Sequence, residues 1–515
     1  MSKAPFSMQG VFSAGLCLVL AVLGCLWVLA VNGGPLFYYD SISYLLRGLQ
    51  TFQQLGLIDP ANDTLLQFSS SGGDGGGAGG GVTDSAGTVD GSRSLVFSIL
   101  AFVFALTGQV EWLLVFNAVI AVMIIWVLAR VILRDHSTGL GASQLVLIVV
   151  LVCATGALPF YVASLMPDLL AGLLILVAAI LMGFGGKLRA WELLALFCVG
   201  ALATVTHLSH LALAGMASVL AIMFVPLQLP GKRWVAPAML ISFVLLGIAE
   251  QASLRVAATV TQNSEVVYKP FLTARLIQDG PGMAYLDENC PNDTISTCAL
   301  AEALKLSDDP WRLTATHIVF EKSARLGSFR LMNADDQRRV AQDQFRFFFA
   351  VLRDRPFETT FAILRNAFRQ ASMNSVDMTL QSDSIVRKAD TLTGSMSESL
   401  NHGRLTAHTE WLAVANPLQQ GIYGLSLAVI LMLIVWPGAV DRRTRLYLIV
   451  ICLGILANAL ICGGVSQPAT RYGGRVIWLL QLSAAVAIVV WLKQRKRRSQ
   501  PNQPLSTPES ARISP

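Results

Sequence analysis

Charge is scarce in this sequence: 14% of its 515 residues are Asp, Glu, Lys or Arg, against 54% hydrophobic residues, and the mean hydropathy is +0.58. A soluble domain cannot cover that much apolar surface with polar side chains, so a soluble enzyme or binding module is excluded and the bilayer becomes the main solvent. The formal charge is only +6, and basic residues mark the short loops and the run Lys493-Gln494-Arg495-Lys496-Arg497-Arg498. That is a pattern of membrane orientation, with no nucleic-acid partner implied. A cleavable leader is missing as well: Lys3 precedes the apolar run 10–31, but the run is long and lacks a small-residue cleavage site, so it reads as an uncleaved first span. No internal repeat of the kind found in inverted-repeat transporters is visible. Charged residues are also missing from mid-span, where a translocation path would show them; Glu111, Glu192 and Glu250 fall near span ends.

What is present is a succession of apolar runs. Candidate spans are 10–31, 110–133, 143–160, 166–185, 190–206, 209–227, 234–250, 418–436, 445–463 and 476–492, each rich in Leu, Val, Ile, Ala and Phe and near the roughly 20 residues a crossing needs. Arg130 and Arg134, Lys187 and Arg189, Lys232 and Arg233, Arg442, Arg443 and Arg445, and the basic tail mark every second connection as cytoplasmic. An even number of spans and this alternation both place the two termini in the cytoplasm. The expected fold class is therefore an all-α polytopic membrane protein with about ten transmembrane helices and a large, mostly helical outer loop domain. Its segments are 1–31 (N-terminus and first span), 32–109 (outer loop), 110–250 (bundle), 251–417 (outer loop domain), 418–492 (three spans) and 493–515 (basic tail). The piece 95–107 is too short to cross and is expected to dip into the interface or pack against the next span.

In the first outer loop, residues 69–81 read SSSGGDGGGAGGG, a flexible insert with no strand-then-helix context for a phosphate cradle. In the large loop, Ala341, Phe345, Phe348, Phe349 and Leu352 recur at helical spacing, as do Phe357, Phe361, Leu364 and Phe368 after Pro356. Two amphipathic helices follow, which either pack together or lie in the membrane interface with Arg346, Arg353, Arg365 and Arg369 toward the headgroups. Cys17, Cys25, Cys153, Cys198, Cys452 and Cys462 lie in apolar runs as small hydrophobes. Cys290 and Cys298 lie in a polar loop without histidines at zinc-site spacing, and form either a disulfide or two free thiols.

The polar residues that stand out all fall on the outer side. Asp40, in Tyr38-Tyr39-Asp40-Ser41-Ile42-Ser43-Tyr44 just beyond the first span, is a candidate general base or a ligand for a divalent metal holding a phosphate, against the plain alternative of a helix cap. Asp168, in Ser164-Leu165-Met166-Pro167-Asp168, would supply a second carboxylate or an ordinary helix start. His207 and His210 share a face if the local structure is helical, as hydrogen-bond donors to a phosphate, proton relays or caps. Arg471, Tyr472 and Arg475 border hydrocarbon on the outer side, against the orientation rule, and guanidinium groups beside tyrosine suit a lipid-linked phosphate; headgroup snorkelling is the alternative.

The aromatic-rich segment ending in Asp40, followed by Ser-x-x-Tyr-Leu directly after the first span, resembles the polyprenyl-phosphate-sugar-dependent type C integral membrane glycosyltransferases, in an uncharacterised bacterial branch. Asp168 at a second outer loop and the Arg471-Tyr472 pair before the last span are similar to features of that superfamily. The segment Lys269 to Asp279 looks like one from uncharacterised bacterial membrane proteins. The resemblance implies a transferase that moves a sugar from a polyprenyl-phosphate donor to an envelope glycan, lipid or protein acceptor on the outer face of a bacterial inner membrane, with inversion. Asp40 and Asp168 would be its catalytic residues, and His207, His210, Arg471, Tyr472 and Arg475 would bind the donor phosphate. Membrane lipids would be its other partners and a divalent metal a cofactor to look for. An envelope-polysaccharide polymerase or ligase, and a non-catalytic transporter or assembly protein, are the competing expectations.

Overall fold

A computed structural model of the chain describes residues 8–59, 67–68, 88–135, 140–227, 232–321, 328–390, 392–393 and 400–499. The Gly-rich stretch 69–81 and the tail from residue 500 lie outside the described residues. The protein is an all-α membrane protein whose strands are confined to short pairs, such as Thr88–Asp90 running parallel to Glu265–Val267. Among the described residues, seven helices are long and apolar enough to cross a membrane: Phe12–Asn32, Glu111–Arg134, Asp168–Lys187, Val235–Val260, Leu412–Val435, Arg442–Val465 and Thr470–Arg495. The other three expected spans coincide with the shorter helices Ala142–Cys153, Ala190–Val205 and Leu208–Met223, of 12, 16 and 16 residues.

The helix Asp168–Phe184 is the axis of the bundle. All its residues are buried, and the helices Ala190–Val205, Arg442–Ala459 and Thr470–Ser499 pack around it. A helix apolar on every side suits such a position, as it would suit contact with lipid. The bundle has two distinct ends. At one, Arg134 donates to the Lys187 carbonyl at 2.7 Å and pairs with buried Glu192, Lys232 lies beside Gly186, and Arg443 lies beside Gly183. The basic connections thus gather together. At the opposite end lie Asp40, the start of Asp168–Phe184 and the start of the last helix.

The first helix, Met8–Asn32, ends at Gly33, whose φ of +77° and bond from its N–H to the Leu29 carbonyl (3.0 Å) form a glycine C-terminal stop. The chain then runs extended, pairing Leu36 with Ser164 through bonds to Ala163 and Leu165, before the helix Tyr39–Gln54. The short helix Leu95–Ala105 does not continue into the next span. Phe97, Ala101 and Phe102 pack on Tyr44, Leu45 and Leu49 of Tyr39–Gln54. Gly48 is what allows the close approach, since a side chain there would run into Phe102 and the Ser98 carbonyl.

Among the described residues, short helices from Phe271–Asp279 to Gln344–Asp354 surround a separate apolar cluster that includes Leu276, Leu300, Phe329, Val340 and Val351. Cys290 and Cys298 form a disulfide with a Cα–Cα distance of 5.6 Å, joining the end of Pro281–Asn289 to the start of Cys298–Leu304. The two expected amphipathic helices are Gln344–Asp354 and Pro356–Ser372. Of their phenylalanines, Phe345, Phe349, Phe357, Phe361 and Phe368 face outward.

Candidate functional site

Asp40 stands in the first turn of Tyr39–Gln54, where the helix dipole favours a carboxylate. The turn is fixed by the Tyr38 N–H donating to Ser41 Oγ at 2.9 Å. Asp168 occupies the equivalent position in its own helix, just after Pro167. Between and around these carboxylates runs an unbroken line of alternating charges. Lys269 Nζ donates to Asp90 Oδ2 at 2.8 Å; Arg93 Nη1 lies 3.4 Å from the same oxygen, and Arg93 Nη2 donates to Asp40 Oδ1 at 2.6 Å. Arg471 Nη1 is 3.5 Å from Asp40 Oδ2, and its Nε donates to Asp168 Oδ2 at 2.8 Å. Arg475 Nη1 donates to Asp168 Oδ1 at 3.1 Å.

The line ends in polar anchors. Arg475 Nη2 donates to Asn458 Oδ1 at 2.8 Å and to Ser209 Oγ at 3.2 Å. The arginines also lie over aromatic rings: Arg471 is 5.1 Å from the Tyr38 ring centre, and Arg475 is 5.2 Å from that of Tyr472. Four cations (Lys269, Arg93, Arg471 and Arg475) face three carboxylates (Asp40, Asp90 and Asp168), so this ion-paired set carries one excess positive charge.

Exposure separates the members. The Asp40 side chain is 30% exposed, whereas Asp90 and Asp168 are 1% and 4%. Burial acts to raise the Asp40 carboxyl, but the Arg93 and Arg471 guanidinium groups and the Arg93 hydrogen bond outweigh it and hold it below the usual carboxylate range. Asp90 is held low in the same way, with burial opposed by Lys269 and Arg93. Asp40 is thus ionised, reachable from solvent and flanked by two guanidinium groups.

The expected site residues meet at this end, in roles the sequence did not distinguish. Arg475 is fully buried and its guanidinium is bonded to Asp168, Asn458 and Ser209, whereas that of Arg471 is bonded to Asp168 and lies 3.5 Å from Asp40. Tyr472 is the aromatic floor for both arginines. His207 Nδ1 accepts from the Ser209 N–H at 3.1 Å, which caps the helix Leu208–Met223 and leaves the ring proton on Nε2 when neutral. His210 is buried with Nδ1 at 2.9 Å from the Ala203 carbonyl, and its ring is 5.3 Å from that of His207.

Arg93, Asp90, Asn458 and Ser209 are the members that sequence reading missed. Arg93 and Asp90 lie just beyond the Gly-rich stretch, and the local signal was Asp-Gly-Ser-Arg directly before an apolar run. Among the described residues no three His, Cys, Asp or Glu side chains come together as a metal-binding group. Asp40 and Asp168 are separated by the Arg471 guanidinium that each of them binds, so this donor set does not fit a divalent cation.

No protein-family model, curated protein or solved structure matches the chain. Fold and site alone therefore define its class, an all-α multi-pass membrane protein with an arginine-lined, carboxylate-bearing site at the end of the bundle opposite its basic connections.

Proposed function

We propose that the chain is a membrane glycosyltransferase that moves a sugar from a polyprenyl-phosphate donor to an envelope acceptor on the outer face of a bacterial inner membrane. The observation that carries this reading is Asp40, the solvent-reachable carboxylate of the buried ionic line, set between Arg93 and Arg471. The 3.5 Å Arg471–Asp40 contact is the loosest bond of Arg471 to a carboxylate and the one a ligand phosphate displaces most readily. A phosphate on Arg471 would offset the charge that holds Asp40 acidic and restore basicity to its carboxylate. Asp40 then takes the proton of the acceptor hydroxyl, whose oxygen bonds to the anomeric carbon as the bond from that carbon to the donor phosphate oxygen breaks. The leaving lipid phosphate keeps the electron pair, and Arg471 stabilises its charge. Asp168 positions Arg471 and Arg475.

Ten crossings with both termini cytoplasmic belong to the same proposal. The three shorter helices each join the two ends of the bundle. Glu192 sits at the basic end while the Val205 carbonyl accepts from Ser94 at the Asp40 end, and Ser209 at the Asp40 end leads by Leu208–Met223 back to Lys232. The first shorter helix starts after Arg134 and leads to Val162, whose carbonyl lies 3.4 Å from Asn117 Nδ2. A disulfide in the loop unit supports placing the Asp40 end in an oxidising compartment.

The test is mass spectrometry of envelope glycans and glycolipids from cells lacking the chain, complemented by the intact protein or by Asp40→Asn at equal membrane abundance. A sugar restored by the intact protein and not by Asp40→Asn is the expected result. Equal restoration by both removes Asp40 from the chemistry and leaves the ionic line as a structural clamp.

A further inference from the structure

The helix Pro356–Ser372 is inside out for a helix in water. It buries Thr359, Asn366 and Gln370 at 0%, 3% and 0% exposure, and turns Phe357, Phe361, Leu364 and Phe368 outward at 88%, 67%, 57% and 82%. Two of these polar side chains are bonded to the protein: Gln370 Nε2 donates to the Ala469 carbonyl at 2.9 Å, Gln370 Oε1 accepts from the Ala469 N–H at 2.8 Å, and Asn366 Nδ2 donates to Asp279 Oδ2 at 2.6 Å. A water-facing helix has the reverse arrangement, and an exposed apolar stripe of this size marks a surface that has another medium or partner. The neighbouring helix Gln344–Asp354 adds Phe345 and Phe349, 66% and 62% exposed, while burying Phe347 and Val351 in the loop unit.

We infer that Gln344–Asp354 and Pro356–Ser372 form a bilayer-docking surface that inserts its phenylalanines into the acyl region of the outer leaflet and sets its arginines among anionic headgroups. Two observations select lipid over a protein partner. The first is continuity: Pro356–Ser372 packs directly on the ends of two candidate spans, the turn 460–465 and the start of Thr470–Ser499, so it sits at the level where two long apolar helices end. The second is charge. Arg346, Arg353, Arg365 and Arg369 are exposed beside the aromatic stripe, a placement in which basic side chains reach phosphate while their stems stay in hydrocarbon. This contact holds whatever chemistry Asp40 performs. It also places the helix that touches the turn before Arg471 within the layer where a lipid phosphate travels.

An environment-sensitive fluorescent amino acid, encoded at position 361 or 368 of the full chain in nanodiscs of phosphatidylcholine and phosphatidylglycerol, tests it. Position 425, 68% exposed on the span Leu412–Val435, is the lipid-facing control, and position 305, whose side chain is 59% exposed in the loop unit, the water-facing one. Doxyl-labelled lipid is expected to quench emission at 361 and 368 to the extent seen at 425, with iodide in the buffer having little effect. Iodide quenching as strong as at 305 overturns the inference. Protection from both quenchers also overturns it, because a second copy or another protein would then cover the face. Two separate positions keep the test open if one variant fails to fold.

Discussion

At the scale of single residues, the two first-turn aspartates differ in what surrounds them, and that difference predicts opposite phenotypes. Asp168 is buried and bonded to both Arg471 and Arg475. Removing its charge in Asp168→Asn leaves the fully buried Arg475 without a counter-ion, a change that costs about 3 to 5 kcal/mol when a buried pair is broken. We expect a large fall in the thermal midpoint of the purified protein. Asp40→Asn should shift that midpoint far less, since Asp40 is partly solvated, and should abolish sugar transfer. The stabilisation that Asp40 does contribute has a defined pH window. Its carboxyl is held below the usual range in the folded chain, so the contribution is fully present above the unfolded value of about 3.9. It disappears as pH falls through the lower folded value. The gap in thermal midpoint between wild type and Asp40→Asn should therefore be level from neutral pH down to about 5 and shrink below about 4. A gap unchanged in acid would mean that Arg93 and Arg471 do not depress this carboxyl. The sequence made Asp40, Asp168, Arg471 and Arg475 visible because charge beside an apolar run is conspicuous. It hid Arg93, which lies next to a glycine-rich stretch, and Asn458, which lies inside an apolar run and becomes a polar anchor only when the last two helices pack.

At the scale of elements, the site depends on how closely the last helix approaches its neighbours. Gly473 lies one turn into that helix, and a Cβ there would strike the Met373 carbonyl oxygen and the Asn374 side chain, just past the end of Pro356–Ser372. Gly473→Ala must push the two apart. Overpacking of this kind costs about 1 to 3 kcal/mol, and because Arg471 and Arg475 flank the position, the charged line shifts with it. The expected outcome is a lower thermal midpoint together with reduced transfer; an alanine variant with wild-type midpoint and activity would show that the contact is not needed. Helical spacing made both loop helices legible, but not which way they face. Periodicity reports that a helix has two different sides, and only packing against Ala469 and Asp279 reveals that the polar side of Pro356–Ser372 is the buried one. The places of the seven long helices were legible, but not all their lengths: Val235–Val260 and Thr470–Arg495 have 26 residues each and run well beyond the apolar stretches 234–250 and 476–492. The other three are shortened by local turns, such as that formed by Thr155 and Gly156 after Ala142–Cys153, which a hydropathy reading passes over.

At the scale of the whole molecule, the charge distribution argues for a single orientation. Seven long helices alone would put the termini on opposite sides, whereas ten passages put them on the same side; the three short helices decide the parity. A helix of 16 residues spans only about 24 Å, less than the roughly 30 Å hydrocarbon core. In the proposed ten-crossing arrangement each would lead from one end of the bundle to the other, with flanking turns such as Val225–Leu227 adding length. Locally thinner bilayer or burial of those ends within protein accommodates the difference. The basic connections collect at one end, with Arg134, Lys187, Lys232 and Arg443 as neighbours of the bundle's turns, and the proposed orientation puts that end in the cytoplasm, in keeping with the positive-inside rule. Lys305, on the opposite side in this arrangement, should then react with a membrane-impermeant amine reagent in intact spheroplasts, and a fluorescent protein fused after residue 515 should stay protected from externally added protease. Protection of Lys305, with loss of the fused reporter to protease, would invert the orientation and put Asp40 on the cytoplasmic side. In that compartment thiols are kept reduced and a Cys290–Cys298 disulfide would not persist, so the redox state of this pair and the accessibility of Lys305 must agree for either orientation to stand.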